Sequence, residues 1–231
     1  MKGNFYNTIA DDFDRLINKY DTLRRIEVVF DDFLGNENLR GKALLDAGCG
    51  SGWFTRKAIE RGAIVTSVDI ADKLVEITKC KNPAVNAIVA SVLNLPFSAC
   101  SFDYVISSDV IEHTPVPERA VSEMARVLKP GGKLALTCPN LAWKWVVDLA
   151  TRLKIRPFEG LENFPSFDQL ECFVQEAHLC LKRHEGFHPW PFQIPMRGAS
   201  RWIDRRFGAG GWKRYMINQG IVAVKLESSD A

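Results

Sequence analysis

Over the middle of the chain, strand-length apolar runs alternate with segments that read as helices. The runs cover residues 43–46, 63–69, 85–91, 102–107 and 133–138, and the helical segments 53–61, 71–79 and 117–128. Such alternation predicts right-handed β-α-β crossovers, a parallel sheet and helices on both of its faces. Ahead of it, Ile9, Phe13, Leu16, Ile17, Tyr20, Leu23, Ile26, Val29, Phe30 and Phe33 lie mostly three or four apart, so residues 4–33 form one or two amphipathic helices capping the core. Behind it, Leu141, Trp145, Leu149 and Leu153 repeat at helical spacing, with Lys144, Asp148 and Arg152 on another face, which predicts a helix over 141–154. A further helix over 167–178 opens at Ser166, with Gln169 three residues on in the pattern of a capping box. Strands over 179–185 and 221–226 follow, separated by a long loop over 187–213 rich in Pro, Gly, Trp and Arg.

The first strand runs into Asp46-Ala47-Gly48-Cys49-Gly50-Ser51-Gly52. Glycines at alternate positions permit positive φ and let a ligand approach the main chain closely. A dinucleotide fingerprint would read G-x-G-x-x-G and hold a pyrophosphate, beside which Asp46 would be misplaced; a carboxylate there suits an ammonium or the water around it. The second β-branched run ends in Asp69, 17 residues beyond Gly52, close to the spacing at which an acid grips ribose hydroxyls. Two acids and a glycine turn describe a site for a cationic nucleoside.

These residues resemble the class I S-adenosylmethionine-dependent methyltransferases. The resemblance continues in order through Leu95-Pro96-Phe97, Phe102-Asp103-Tyr104-Val105-Ile106, Val110-Ile111-Glu112-His113, the segment from Ala125 to Gly132, and Thr137-Cys138-Pro139-Asn140, covering roughly residues 40 to 140. It implies a Rossmann-like α/β fold with a seven-stranded, mostly parallel sheet whose last strand is antiparallel, and S-adenosyl-L-methionine as cofactor. By the same resemblance, Gly48, Cys49, Gly50 and Gly52 pass beside the methionine and sugar, Asp46 anchors the amino group, Asp69 accepts the ribose hydroxyls and Ile70 packs on the adenine. Ser91 stands where the family often has an acid, so adenine recognition leans on the backbone of Val92 and Leu93. Ser108 and Asp109 run beneath the methionine part. His113 is the first choice for a general base on a hydroxyl; alternatively, Glu112-His113 opens a helix and the ring bonds a backbone carbonyl. Tyr6, Tyr20 and Arg24 are candidate lid contacts from the N-terminal cap, and His188 a candidate substrate contact. The chain lacks the N/D-P-P-Y segment of amino-methylating nucleic-acid enzymes, and Cys138-Pro139 reverses the Pro-Cys of cytosine C5 enzymes. The resemblance therefore points to the small-molecule branch that includes quinone, sugar and natural-product O-methyltransferases, with no nucleic-acid partner.

Length and composition fit one domain: 231 residues and 46% hydrophobic content build a single core. It divides into an N-terminal cap (1–40), a cofactor-binding core (41–140) and a substrate-side region (141–231). A formal net charge of +2 gives no push toward nucleic acid. No spanning run or signal peptide is apparent, so a cytoplasmic location is expected. Six cysteines without a C-x-x-C pair argue for small buried residues, with no metal and no disulfide. From Arg197 to Arg214 six basic residues face one acid, Asp204. Together with the aromatic residues of 141–154 and 187–213, this pattern is open to a peripheral membrane contact, a lid over an acidic or lipid-linked acceptor, a nucleic-acid platform, or an ordinary packed cap. Three functional classes follow: a methyltransferase acting on a small molecule, with O-methylation of a phenol, quinol, sugar or lipid-linked hydroxyl foremost; a non-catalytic methyltransferase-like binding or regulatory protein; and a nicotinamide oxidoreductase.

Overall fold

The computed structural model describes residues 2–152, 162–190 and 197–226. Seven strands form one sheet: β1 (Ala43–Ala47), β2 (Ile64–Asp69), β3 (Asn86–Val89), β4 (Phe102–Ser108), β5 (Leu128–Pro139), β6 (Leu179–Phe187) and β7 (Asn218–Lys225). Their order is β3-β2-β1-β4-β5-β7-β6. The first five pair in parallel, and β7 runs antiparallel between β5 and β6. This is the mostly parallel sheet with an antiparallel last strand that the sequence predicts. After β3 the chain crosses back to lay β4 beside β1, and that reversal opens a crevice at the carboxyl ends of β1 and β4.

Period-two side-chain alternation makes each central strand feed two cores. Leu45, Val105, Leu134 and Leu136 enter one buried cluster, packed under Ala120, Val121 and Met124. Their neighbours Leu44, Tyr104, Ile106 and Ala135 enter the other, packed under Val29, Phe30, Leu34 and Ala58. Apolar burial on both faces explains why these strands read as continuous apolar runs.

Three helices precede the sheet: α1 (Lys2–Ile9), α2 (Phe13–Leu16) and α3 (Lys19–Glu27). Between strands lie α4 (Trp53–Glu60), α5 (Asp72–Lys81) and α6 (Pro117–Val127), the last opening with Pro117 where its missing N–H costs nothing. The predicted 141–154 helix is a short 3-10 turn, Leu141–Trp143, followed by α7 (Lys144–Arg152); Leu153 lies outside the described residues. At α8 (Phe167–Glu176) both hydrogen bonds of the Ser166/Gln169 capping box are present. The expected loop over 187–213 differs from what is seen. It contains α9 (Arg197–Phe207) and a 3-10 turn, Gly211–Tyr215, while its residues 191–196 lie outside the described set. Long-range pairing explains the helix: Asp204 is buried and accepts a bond from Arg24 Nε at 3.0 Å, which docks α9 on α3.

Candidate active site

The chain leaves β1 through Gly48, Gly50 and Gly52, whose φ values are +89°, +52° and +87°. Space requires glycine as much as conformation does. A Cβ at Gly48 would lie 2.2 Å from Val110 Cγ2, and one at Gly50 would press on Phe13 at 3.3 Å. Hydrogen bonds fix the loop: Gly48 N and Cys49 N both donate to Val68 O, at 2.8 and 2.9 Å, and Thr78 Oγ1 donates to Gly50 O at 2.8 Å. Asp69, at the end of β2, completes the frame. Its Oδ2 accepts from Gly50 N at 2.9 Å and its Oδ1 from Ala71 N at 3.0 Å. Each oxygen keeps a further acceptor position. Burial raises the Asp69 carboxyl despite these N–H donors.

A cavity opens over this frame. Gly48, Cys49, Gly50, Asp69, Ile70, Ser91, Val92, Leu93, Ser108, Asp109 and His113 all border it. Two predicted residues do not. Gly52 caps α4 behind the loop. Asp46 lies beneath it, 2% exposed, accepting a 2.6 Å bond from Thr55 Oγ1, which is itself 2.7 Å from Ser67 Oγ. Burial, with the charge of Asp69 adding to it, pushes the Asp46 carboxyl up to about 7. The Cys49 thiol is also raised by burial and by both acids, so it stays protonated and is no nucleophile.

At the end of the neighbouring strand β4, Asp109 takes a φ of +55° and pairs with Arg25 Nη1 at 2.6 Å. Arg25 is 4% exposed and also donates to Asp21 at 2.8 Å and Asn218 at 2.9 Å. Burial alone would lower its pKa, but Asp109 and Asp21 outweigh that and hold it charged. Glu112 is buried next to Asp109; burial and that neighbour's charge raise its carboxyl well above the usual range, so it keeps its proton. His113 sits in a 3-10 turn, Ile111–His113, donating its backbone N–H to Val110 O at 3.0 Å. The helical turn proposed for Glu112-His113 therefore exists, and the imidazole still faces the cavity, edge-on to Tyr6 at 6.0 Å.

The N-terminal helices form the roof. Tyr6, Phe13, Ile17, Thr22 and Arg25 face the cavity, and Asp14 ties the roof to the glycine loop through Ser51 Oγ, Trp53 Nε1 at 3.1 Å and Lys81. Of the three predicted lid contacts, only Tyr6 borders the cavity. Tyr20 stacks on His188 at 5.3 Å, and Arg24 pairs with Asp204 and, at 3.1 Å, Asp32. His188 is internal too: it is 1% exposed, its backbone N–H donates to Asp204, and burial lowers its pKa to about 4. Arg25, Thr22 and Asp14 are the residues that sequence reasoning missed. An Asp21–Arg25 pair one helical turn apart was the one signal, and it reads equally as a solvated salt bridge.

A family model described as a methyltransferase domain matches residues 45–136. A ubiquinone biosynthesis O-methyltransferase of Xanthomonas oryzae pv. oryzae is 30% identical over 209 residues, spanning 81% of this chain and 87% of that protein. The chain belongs to the class I S-adenosylmethionine-dependent methyltransferases. Among solved structures, this methyltransferase shares its fold with phosphoethanolamine N-methyltransferase 2 of Haemonchus contortus, at TM-score 0.69 and 20% identity over 96% of this chain and 57% of that one. It also shares it with the cyclase SpnF, at TM-score 0.64 and 20% identity over 88% and 81%. A methyltransferase and a cyclase on one fold show why the reaction has to be argued from the site.

The cofactor is S-adenosyl-L-methionine, and the residues present fit it. The glycine cradle excludes any Cβ at Gly48, Asp69 has acceptor capacity to spare for a diol, and Asp69 and Asp109 both border the cavity where a positive charge would lie. Among the described residues, no group of three or more His, Cys, Asp and Glu side chains is placed to hold a metal.

Proposed function

We propose that this methyltransferase transfers the methyl group of S-adenosylmethionine to a hydroxyl oxygen of a small, flat acceptor of the phenol or quinol class. The observation that carries the reading is the presence, in one cavity, of the glycine loop, the Asp69 carboxyl at the end of β2 and His113. Apolar and aromatic side chains, Tyr6, Phe13, Ile17, Trp53 and Phe54, close the remaining sides and suit a ring. A 30% identical relative named for O-methylation in ubiquinone biosynthesis supports the same acceptor class.

When bound, the cofactor supplies a methyl group already activated by its positive sulfur. The chain has to hold donor and acceptor in line and keep water out, an effect that supplies roughly 7–11 kcal/mol. Asp69 accepts the ribose hydroxyls and Ile70 packs on the adenine. Ser91 with the backbone of Val92 and Leu93 recognises its edge, and the loop from Gly48 to Gly52 with Ser108 and Asp109 flanks the methionine part. Asp46 acts from beneath the loop, through its field and through water, on the amino group. His113 takes the hydroxyl proton, a contribution of about 10²- to 10⁴-fold. Arg25 holds Asp109 at the strand end, and the proton kept on Glu112 prevents two adjacent carboxylates from repelling each other.

A screen of phenols, quinols, sugars and amines with radiolabelled methyl donor tests the reading. Transfer to a ring hydroxyl supports it, and transfer only to nitrogen contradicts it. Tight cofactor binding with no transfer to any acceptor would favour the non-catalytic alternative.

A further inference from the structure

A second concave face lies apart from the cofactor cavity. Pro189 and Trp190 beyond β6, Trp202 and Phe207 of α9, and Trp212 and Tyr215 of the following turn line an apolar groove. Trp202, Trp212 and Tyr215 are 64%, 68% and 69% exposed, far more than core packing leaves an aromatic side chain. The stripe of α7 extends the face, since Trp145 and Leu149 are exposed and Trp143 Nε1 donates to Tyr215 O at 2.8 Å. Pro139, Phe187 and Asn218 end β5, end β6 and begin β7 in one register, so the groove stands at the same end of the sheet as the active site.

Charge decides what covers it. The segment 197–214 carries six basic residues and one acid, and that acid, Asp204, is 6% exposed and spent on Arg24. Arg214 is paired with Asp168, whereas Arg206 stands exposed at the end of α9. Tryptophan and tyrosine beside basic residues, with the local acid withdrawn, are the composition that settles at a lipid headgroup boundary. A two-fold dimer through this segment would bring two strongly basic stretches of chain together, a like-charge cost. Among the described residues no helix is long and apolar enough to cross a membrane.

We infer that the Trp202–Trp212–Tyr215 face docks the enzyme on an anionic bilayer surface, setting the mouth of the active site against the lipid phase. This goes beyond the proposed methyl transfer and does not depend on it, because none of these aromatic residues borders the cofactor cavity.

The test uses the full chain with vesicles of phosphatidylcholine alone and of phosphatidylcholine mixed with phosphatidylglycerol. Binding is read by co-sedimentation and by quenching of tryptophan fluorescence by brominated acyl chains. Expected results are binding to the mixed vesicles that weakens with salt, little binding to neutral ones, and a loss of about fivefold in partitioning for Arg206→Gln. Trp202→Ala with Trp212→Ala should reduce both partitioning and quenching while leaving calorimetric cofactor affinity unchanged, which separates this proposal from the proposed function. No binding to anionic vesicles at low salt overturns it, as does binding indifferent to the double substitution. A vesicle-free dimer by light scattering that the double substitution dissociates also overturns it, assigning the face to a second copy of the chain.

Discussion

The raised carboxyl of Asp46, beneath the glycine loop, predicts a proton-linked cofactor affinity. Asp46 is 2% exposed and its carboxyl is raised to about 7, against 3.8 for a free side chain. In the folded apoprotein the proton stays on, whereas the unfolded chain ionises near the free value. The associated stability is therefore fully present below the unfolded pKa and is lost as pH rises through about 7. Moving the carboxyl from 3.8 to about 7 corresponds to about 4 kcal/mol. A cationic ligand placed over the loop reverses the preference and favours the carboxylate, so binding expels the proton. About three-quarters of Asp46 is protonated at roughly pH 6.5 and about a tenth at roughly pH 8. Titration calorimetry with S-adenosylmethionine in buffers of different ionisation enthalpy should thus show release of up to about 0.8 proton at the lower pH and little at the higher. Affinity should rise up to about tenfold per pH unit below 7 and level off above it. Asp69 is raised in the same direction by its own burial, so Asp46→Asn removes one of two titrating groups and should reduce the release. It should also flatten the fall in apoprotein melting temperature between acid and neutral pH. Zero proton release by the wild type at the lower pH, or undiminished release by Asp46→Asn, would refute the reasoning.

Three other perturbations have defined outcomes. His113→Gln should lower turnover by about 10²- to 10⁴-fold with cofactor affinity intact, and wild-type rates across pH would remove the imidazole from proton transfer. Arg25→Met leaves the buried Asp21 without its cation and removes the Arg25 partner of the half-exposed Asp109, a loss of about 3 kcal/mol. That equals a drop of about 6 °C or more in melting temperature, and a shift under about 3 °C would contradict the network. Gly48→Ala combines a left-handed φ with a clash on Val110 and should cost about 2 kcal/mol or more by denaturant unfolding, part of it recovered when Val110→Ala is added. An unchanged midpoint would contradict the close approach.

Local patterns were legible in the sequence to the extent that their physics is local. The glycine turn, the acid at the end of β2 and the Ser166/Gln169 capping box depend on residues a few positions apart, and each is found where its pattern predicts, whereas β5 opens at Leu128 rather than at residue 133 and β3 is shorter than the 85–91 run. The orientation of Asp46 is subtler. Its spacing marks an acid before the loop, but strand alternation turns its side chain under the loop toward Thr55. What escaped are contacts between distant segments. Arg25 meets Asn218 across 193 positions and Arg24 meets Asp204 across 180, so no local pattern shows that these arginines are buried. The same contacts explain α9. Its Arg-rich sequence, inside a stretch rich in Pro, Gly and Trp, reads as a loop until Asp204 has a partner in α3. Tyr20 and His188 likewise have the composition of a lid, but they stack on each other inside the molecule.

The most direct test of the account is calorimetric binding of S-adenosylmethionine to the wild type and to Asp69→Ala. Loss of two charge-assisted hydrogen bonds at about 1.5–3 kcal/mol each predicts that the variant, still folded, binds about 10²- to 10⁴-fold more weakly. Equal affinity of the two proteins would contradict the assignment of the β2 carboxylate to the cofactor, and with it the site.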